Sequence, residues 1–193
     1  MAGRRQLQKE ITKENILAAA MRLYAAGGFS TPTNVIAREA GVSHGAVFVH
    51  FPTRDDLQLS VLERFAHEIG YKLHNLAASE GSITDLLHAH IEILEEYEPF
   101  YKSLLQQMSL LPGNTKNMVI ALQSVLSQHL NIVIEREKRE GRIKDLPVHM
   151  IFNMWMGLVH YYLYNSDLFA PEESVLKRYR NELVDSFTAL ISR

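Results

Sequence analysis

Apolar residues recur at three- and four-residue intervals along almost the whole chain, and nowhere alternate with period two for long enough to make a strand. Ile16, Leu17, Ala20, Leu23 and Tyr24 form one face of a first helix, which Thr12 is expected to cap and Gly27-Gly28 to end. Thr31 as N-cap, Pro32 at the first helical position, and Val35, Ile36, Ala37 and Ala40 at helical spacing predict a short second helix that stops at Gly41. Ser43 then caps a third, with Val47, Phe48 and Phe51 on its apolar side and Phe29 plugging the junction with the first helix. Two short helices separated by a glycine suggest a helix-turn-helix.

Past Pro52, Thr53 and Asp56 have the spacing of a capping box. From there Leu57, Val61, Phe65, Ile69, Leu73 and Leu76 predict one helix to about Ala78. Ser82 with Asp85 opens another, through about Tyr97, and Pro99 starts a segment closed by Pro112-Gly113. A long helix from about Thr115 turns Met118, Leu122, Val125, Leu126, His129 and Val133 inward and stops at Gly141. The last two helices run from about Pro147 to Asn165 and from about Pro171 to Ile191. The first of these is apolar nearly all round, so one buried face does not account for it. It needs either a central place in a monomer or a second copy of the chain, with Gly157 permitting close approach. The chain therefore reads as all-α, about nine helices, with a three-helix head over residues 1–52 and a helical bundle over residues 53–193.

Composition changes this picture little. The balance of 47% hydrophobic and 22% charged residues is that of an ordinary soluble globular protein. No apolar run long enough to span a bilayer stands out, and the N-terminal stretch lacks the apolar core of a signal peptide, so a cytoplasmic location away from membranes is expected. The lack of cysteine removes disulfides, thiol nucleophiles and thiolate metal sites. Charge is more informative when divided. The net −2 of the whole chain conceals +4 over residues 1–54 and −6 over the rest. The excess comes from Arg4, Arg5, Lys9, Lys13, Arg22, Arg38 and Arg54, the first of which lie on a polar stretch expected to be a mobile arm.

The segment Ile36-Ala37, Ala40-Gly41-Val42-Ser43, Gly45, Phe48, His50-Phe51, Arg54 and Leu57 resembles the DNA-binding signature of the tetracycline-repressor (TetR) family. The resemblance implies that the third helix enters the major groove of an operator, with Thr33, Ser43, His44, Gly45, Ala46, His50, Thr53 and Arg54 facing DNA. Among these, Thr33, His50, Thr53 and Arg54 are placed for phosphates and Gly45 for close backbone approach. Three positions depart from the family pattern: Phe48 replaces a usual Tyr, and His44 and Arg54 replace usual lysines. The resemblance further implies a homodimeric repressor on a pseudo-palindromic operator, released by a small-molecule effector in the C-terminal domain. No cofactor is implied. Phe100, Tyr101, Met108 and Trp155 are the expected lining of the effector pocket.

Two rival readings stand beside this one. An all-α enzyme using the helix-turn-helix as scaffold needs a convergent acid/base or metal constellation, and none is present at motif level. His67-Glu68 lacks the second histidine of a zincin, since Tyr71 stands there, and His67 and His74 lie about 10 Å apart along a helix, too far for one ion. A DNA-binding regulator without a ligand is the second rival, favoured by a closed, fully packed C-terminal core.

Overall fold

In the computed structural model the backbone is described for residues 2–77 and 81–193, and the side chains for residues 3–72 and 81–193. Ten α-helices account for nearly all of it, with no strand among the described residues. Helix α1 covers Ala2–Gly27, α2 Thr33–Glu39, α3 His44–His50, α4 Arg54–Ala77, α5 Ile83–Glu96 and α6 Glu98–Gln107. A 3₁₀ turn over Met108–Leu110 precedes α7 (Gly113–Arg139), α8 (Val148–Tyr164), α9 (Ser166–Phe169) and α10 (Val175–Ile191).

The chain divides into two compact units. One comprises residues 1–65 and 99–119, the other residues 66–98 and 120–193. The division falls inside α4, α6 and α7. In the first unit Ile16, Ala20, Tyr24, Phe29, Ile36, Val47, Phe51, Leu57, Val61, Phe65, Phe100 and Leu104 are buried. Phe29 stacks on Tyr24 at 4.8 Å and tilts onto Phe100 at 5.6 Å, so the residue does plug the junction as its position suggests. In the second unit α5 and α8 pack on α10, burying Leu87, Ile91, Trp155, Val159, Leu163, Leu176 and Leu183.

Several element boundaries differ from expectation. The N-terminal stretch is not an arm but the opening of α1, and Thr12 lies inside that helix, donating its hydroxyl to the Gln8 carbonyl. Thr31 does not cap α2. Its hydroxyl donates to the Gly28 carbonyl at 2.8 Å, and Pro32 occupies the N-cap position. Thr53 and Ser82 do cap their helices, each exchanging hydrogen bonds with the carboxylate and backbone three residues on. The expected end of α4 at Ala78, and the side chains of Leu73, His74 and Leu76, lie outside the described residues.

On α7 the buried stripe is Val119, Leu126, Leu130, Val133 and Ile134, whereas Met118 is half-buried and Val125 exposed. This helix carries two candidate apolar stripes about one residue apart in phase, and spacing alone does not choose between them. Among the described helices α7 is also long and apolar enough to meet the length and hydropathy of a membrane span. A polar line of Gln123, Ser127, Gln128 and Asn131 runs along it, however, and borders an open groove of about 540 Å³ shared with Val148, His149 and Phe152 of α8.

The last helix begins four residues later than Pro171, and α9 precedes it. Two groups set the start: the Ser174 hydroxyl, which accepts from the Lys177 N–H at 3.0 Å, and a buried carboxylate. Glu98, buried, accepts from the backbone N–H of Val175 at 2.9 Å and of Leu176 at 3.1 Å, and from the Ser174 hydroxyl, so the N-terminus of α10 is fixed at Ser174. Replacing Glu98 by Ala is expected to cost about 2–3 kcal/mol of stability, because two buried N–H groups lose a charged acceptor; urea unfolding measures it, with Glu98→Gln retaining part of the loss.

Trp155 is fully buried, and its indole N–H donates to Nδ1 of His90 at 3.1 Å. Burial, with a smaller contribution from nearby His160, lowers His90 from its ordinary 6.5 to about 3; burial lowers His160 to about 4. In the unfolded chain both take a proton near pH 6.5, so as pH falls below that value the unfolded state binds protons that the folded state refuses. Stability is expected to fall steadily from pH 6.5 toward pH 4. In the His90→Asn variant, which keeps an acceptor for the indole without titrating, the urea midpoint should fall less steeply over that range.

Candidate nucleic-acid interface

The helix-turn-helix is assembled from local rules. Gly41, at φ +69°, supplies the left-handed residue that ends α2 and turns the chain. Ser43 accepts from the Ala46 backbone N–H at 3.2 Å, starting α3 as its sequence position predicts. Thr33 Oγ1 and His44 Nε2 lie 2.9 Å apart, tying the first residue of α2 to the first of α3. Beneath them Ile36, Ala37, Val47 and Phe51 are buried, which holds the pair to the rest of the head.

Phe48 is the main departure. The sequence places it on the apolar side of α3, yet it is 41% exposed and Val49 is 73% exposed. The phase of so short a helix is set by Val47 and Phe51, four residues apart and both buried. Phe48 falls at the edge of the opposite face and Val49 in its middle. The outward face of α3 therefore carries His44, Gly45, Phe48 and Val49, with Ala46 and His50 half-buried at its flanks. His44 meets Phe48 edge-on at 5.1 Å.

Of the residues expected on phosphates, Thr53 uses its hydroxyl within its own capping box. Arg54 donates from Nη2 to the carbonyl of Phe29, which also accepts from Gln58 Nε2 at 2.9 Å. His50 has its pKa lowered by partial burial first and then by the neighbouring charges of Lys9 and Lys13. In the sequence those two lysines stand out only as part of a basic stretch. Their closeness to His50 follows from α1 being helical from its first turn, and Glu10 lies near the same imidazole with the opposite sign.

The expected effector-lining residues are divided between the two units. Phe100 and Tyr101 are buried in the first unit, with ring centroids 5.0 and 6.0 Å from Phe65, and Met108 is half-buried on the 3₁₀ turn of the same unit. Trp155 belongs to the core of the second unit. Among the described residues no group of three or more histidine or acidic side chains is placed to hold a metal ion.

Residues 16–61 match the family model of bacterial regulatory proteins of the tetR family. The chain is 26% identical over 187 residues to the uncharacterised HTH-type transcriptional regulator YerO of Bacillus subtilis strain 168, covering 84% of this chain and 60% of YerO. It therefore spans less than two thirds of that relative's length. It is 24% identical over 168 residues to the HTH-type transcriptional regulator SrpR of Pseudomonas putida, covering 85% of this chain and 79% of SrpR. Among solved structures, a TetR-family transcriptional regulator from Agrobacterium tumefaciens superposes with a TM-score of 0.81 at 20% identity, covering 96% of this chain and all of that one. The regulator FadR from Bacillus subtilis, solved in complex with stearoyl-CoA, superposes with a TM-score of 0.75 at 16% identity, over 92% of this chain and 98% of FadR. These structures share the fold, and the family model matches the segment that builds the helix-turn-helix. Residues 16–61 carry the helix-turn-helix of the tetR family, and the chain as a whole has the fold of solved TetR-family regulators.

Proposed function

We propose that the protein is a homodimeric repressor that binds a pseudo-palindromic operator through α3 and is released from it by a small organic effector. The observation that carries the DNA-binding part is the outward face of α3, with Lys9 and Lys13 of α1 near its last residue, His50. Two such heads related by a two-fold axis would read two half-sites. Dimerisation is supported by α8, where Met150, Gly157, Tyr161 and Tyr164 form an exposed stripe that continues to Leu168 in α9. A Cβ at Gly157 would meet nothing within 4 Å in the single chain, so the fold of one chain does not require glycine there.

The effector is proposed to act on the helical domain over residues 53–193, as FadR's complex with stearoyl-CoA suggests by analogy. Linkage demands only that the effector bind the operator-free state more tightly. Regulation without a small molecule is the second reading, favoured by the complete burial of Trp155 and the tight packing of Phe100 and Tyr101. A candidate effector that binds equally well with and without operator would sink the first reading in favour of the second.

Selection from random duplexes with the purified protein is expected to return a two-fold-symmetric site whose affinity falls with salt; enrichment of no sequence would overturn the proposal. On that site Arg54→Ala should lower the slope of log affinity against log salt by about one for each subunit's lost phosphate contact, and should also lower the melting temperature because the Phe29 carbonyl loses a donor. His50→Ala at pH 8 should weaken binding and leave the slope unchanged, since a neutral imidazole releases no counterion. Sedimentation should give a dimer for the native chain and a folded monomer for Gly157→Leu.

A further inference from the structure

We propose that α3 reads its operator through the 5-methyl groups of thymine, with Val49 and Phe48 as the reading side chains. The proposal rests on the reading of the head as an operator-binding module and specifies its chemistry. Three observations carry it.

The first is what α3 lacks. Its seven residues, His44 to His50, include no Asn, Gln, Arg, Lys, Ser or Thr, the side chains that recognise base edges by hydrogen bonding. The two histidines stand at the ends. His44 is engaged through Nε2 by Thr33 and turned edge-on against Phe48, and His50 is half-buried. Between them the exposed side chains, Phe48 and Val49, are hydrocarbon.

The second is what α3 presents. Val49 is 73% exposed on the face opposite the buried Val47, and Phe48, at the edge of that face, is 41% exposed. In the major groove only thymine offers an apolar group, its methyl; every other base edge there is a hydrogen-bond donor or acceptor. Pressing valine or phenylalanine onto those polar edges would leave them without water or a partner, whereas a methyl gains from the contact.

The third is Gly45. It has no positive φ, and a Cβ built on it meets nothing within 4 Å, so neither backbone nor packing within the chain calls for glycine in this exposed helix. Glycine there weakens the helix relative to alanine. Its effect is to lower the surface of α3 beside Val49, which lets the two apolar side chains reach the groove floor.

The test uses the full chain and the operator recovered by selection. Each invariant thymine is replaced singly by deoxyuridine, which removes the methyl and keeps the base pair, and affinity is read by fluorescence anisotropy at fixed salt. At one or more positions per half-site uracil is expected to weaken binding about fourfold, and about fifteenfold when both half-sites are changed, the factor for one buried methyl. Val49→Ala should bind the thymine and uracil duplexes alike at that position with its melting temperature unchanged, Phe48→Ala should lose the same discrimination with a small drop in melting temperature as its contact with His44 goes, and Gly45→Ala should raise the melting temperature while weakening operator binding. The inference is overturned if the selected site has no invariant thymine, if every uracil duplex binds as the parent does, or if both alanine variants keep the discrimination. In each of those cases a symmetric operator still upholds the regulator reading, whereas enrichment of no sequence overturns both.

Discussion

The backbone of Phe29 is the joint on which the DNA-binding unit depends. Its carbonyl accepts from Arg54 and Gln58 of α4, and its N–H donates to Gln107 Oε1 of α6 at 3.0 Å. Its ring lies between Tyr24 and Phe100. One loop residue thus satisfies its buried polar groups with partners from two later helices, and the head is fixed to chain segments far from it in sequence. Gly28 makes this possible. It sits at φ +79°, which disfavours any side chain, and a Cβ there, 2.2 Å from the Gln107 amide, would push that amide aside.

Buried carboxylates play the corresponding part in the second unit. Glu98 serves the first N–H groups of α10, and Glu137 accepts from the Ile83 N–H at 2.9 Å at the start of α5, with Arg142 3.6 Å away. A buried negative charge is tolerable there because the helix N-terminus presents unpaired donors and the positive end of its dipole. These side chains place whole helices, although each is a single glutamate in a charged stretch of sequence.

That contrast marks what was legible beforehand. Helices came through their apolar spacing, and the caps at Ser43, Thr53 and Ser82 through local side-chain chemistry acting over three residues. The start of α10 obeys the same rule, since Ser174 accepts from the Lys177 N–H at 3.0 Å, but Pro171 offers an earlier start in the sequence, and the second half of the cap arrives from Glu98, over seventy residues earlier in the chain. The helix-turn-helix was legible as a motif, whereas the outward turn of Phe48 and Val49 was missed. Their phase is decided by the burial of Val47 and Phe51, and a pattern that counts all three aromatic and aliphatic residues as one apolar side cannot separate them. Val125 on α7 misled for the same reason, while the nearness of Lys9 and Lys13 to His50 needed the helical path of the first turns.

Trp155 is the chain's single tryptophan, sealed in the core of the second unit with its ring nitrogen on His90. Ultraviolet emission from this protein above the tyrosine band therefore arises at one point, beside one imidazole, and carries no direct signal from the head. The molecule holds a built-in optical gauge for one of its two units and is dark, at that wavelength, in the other.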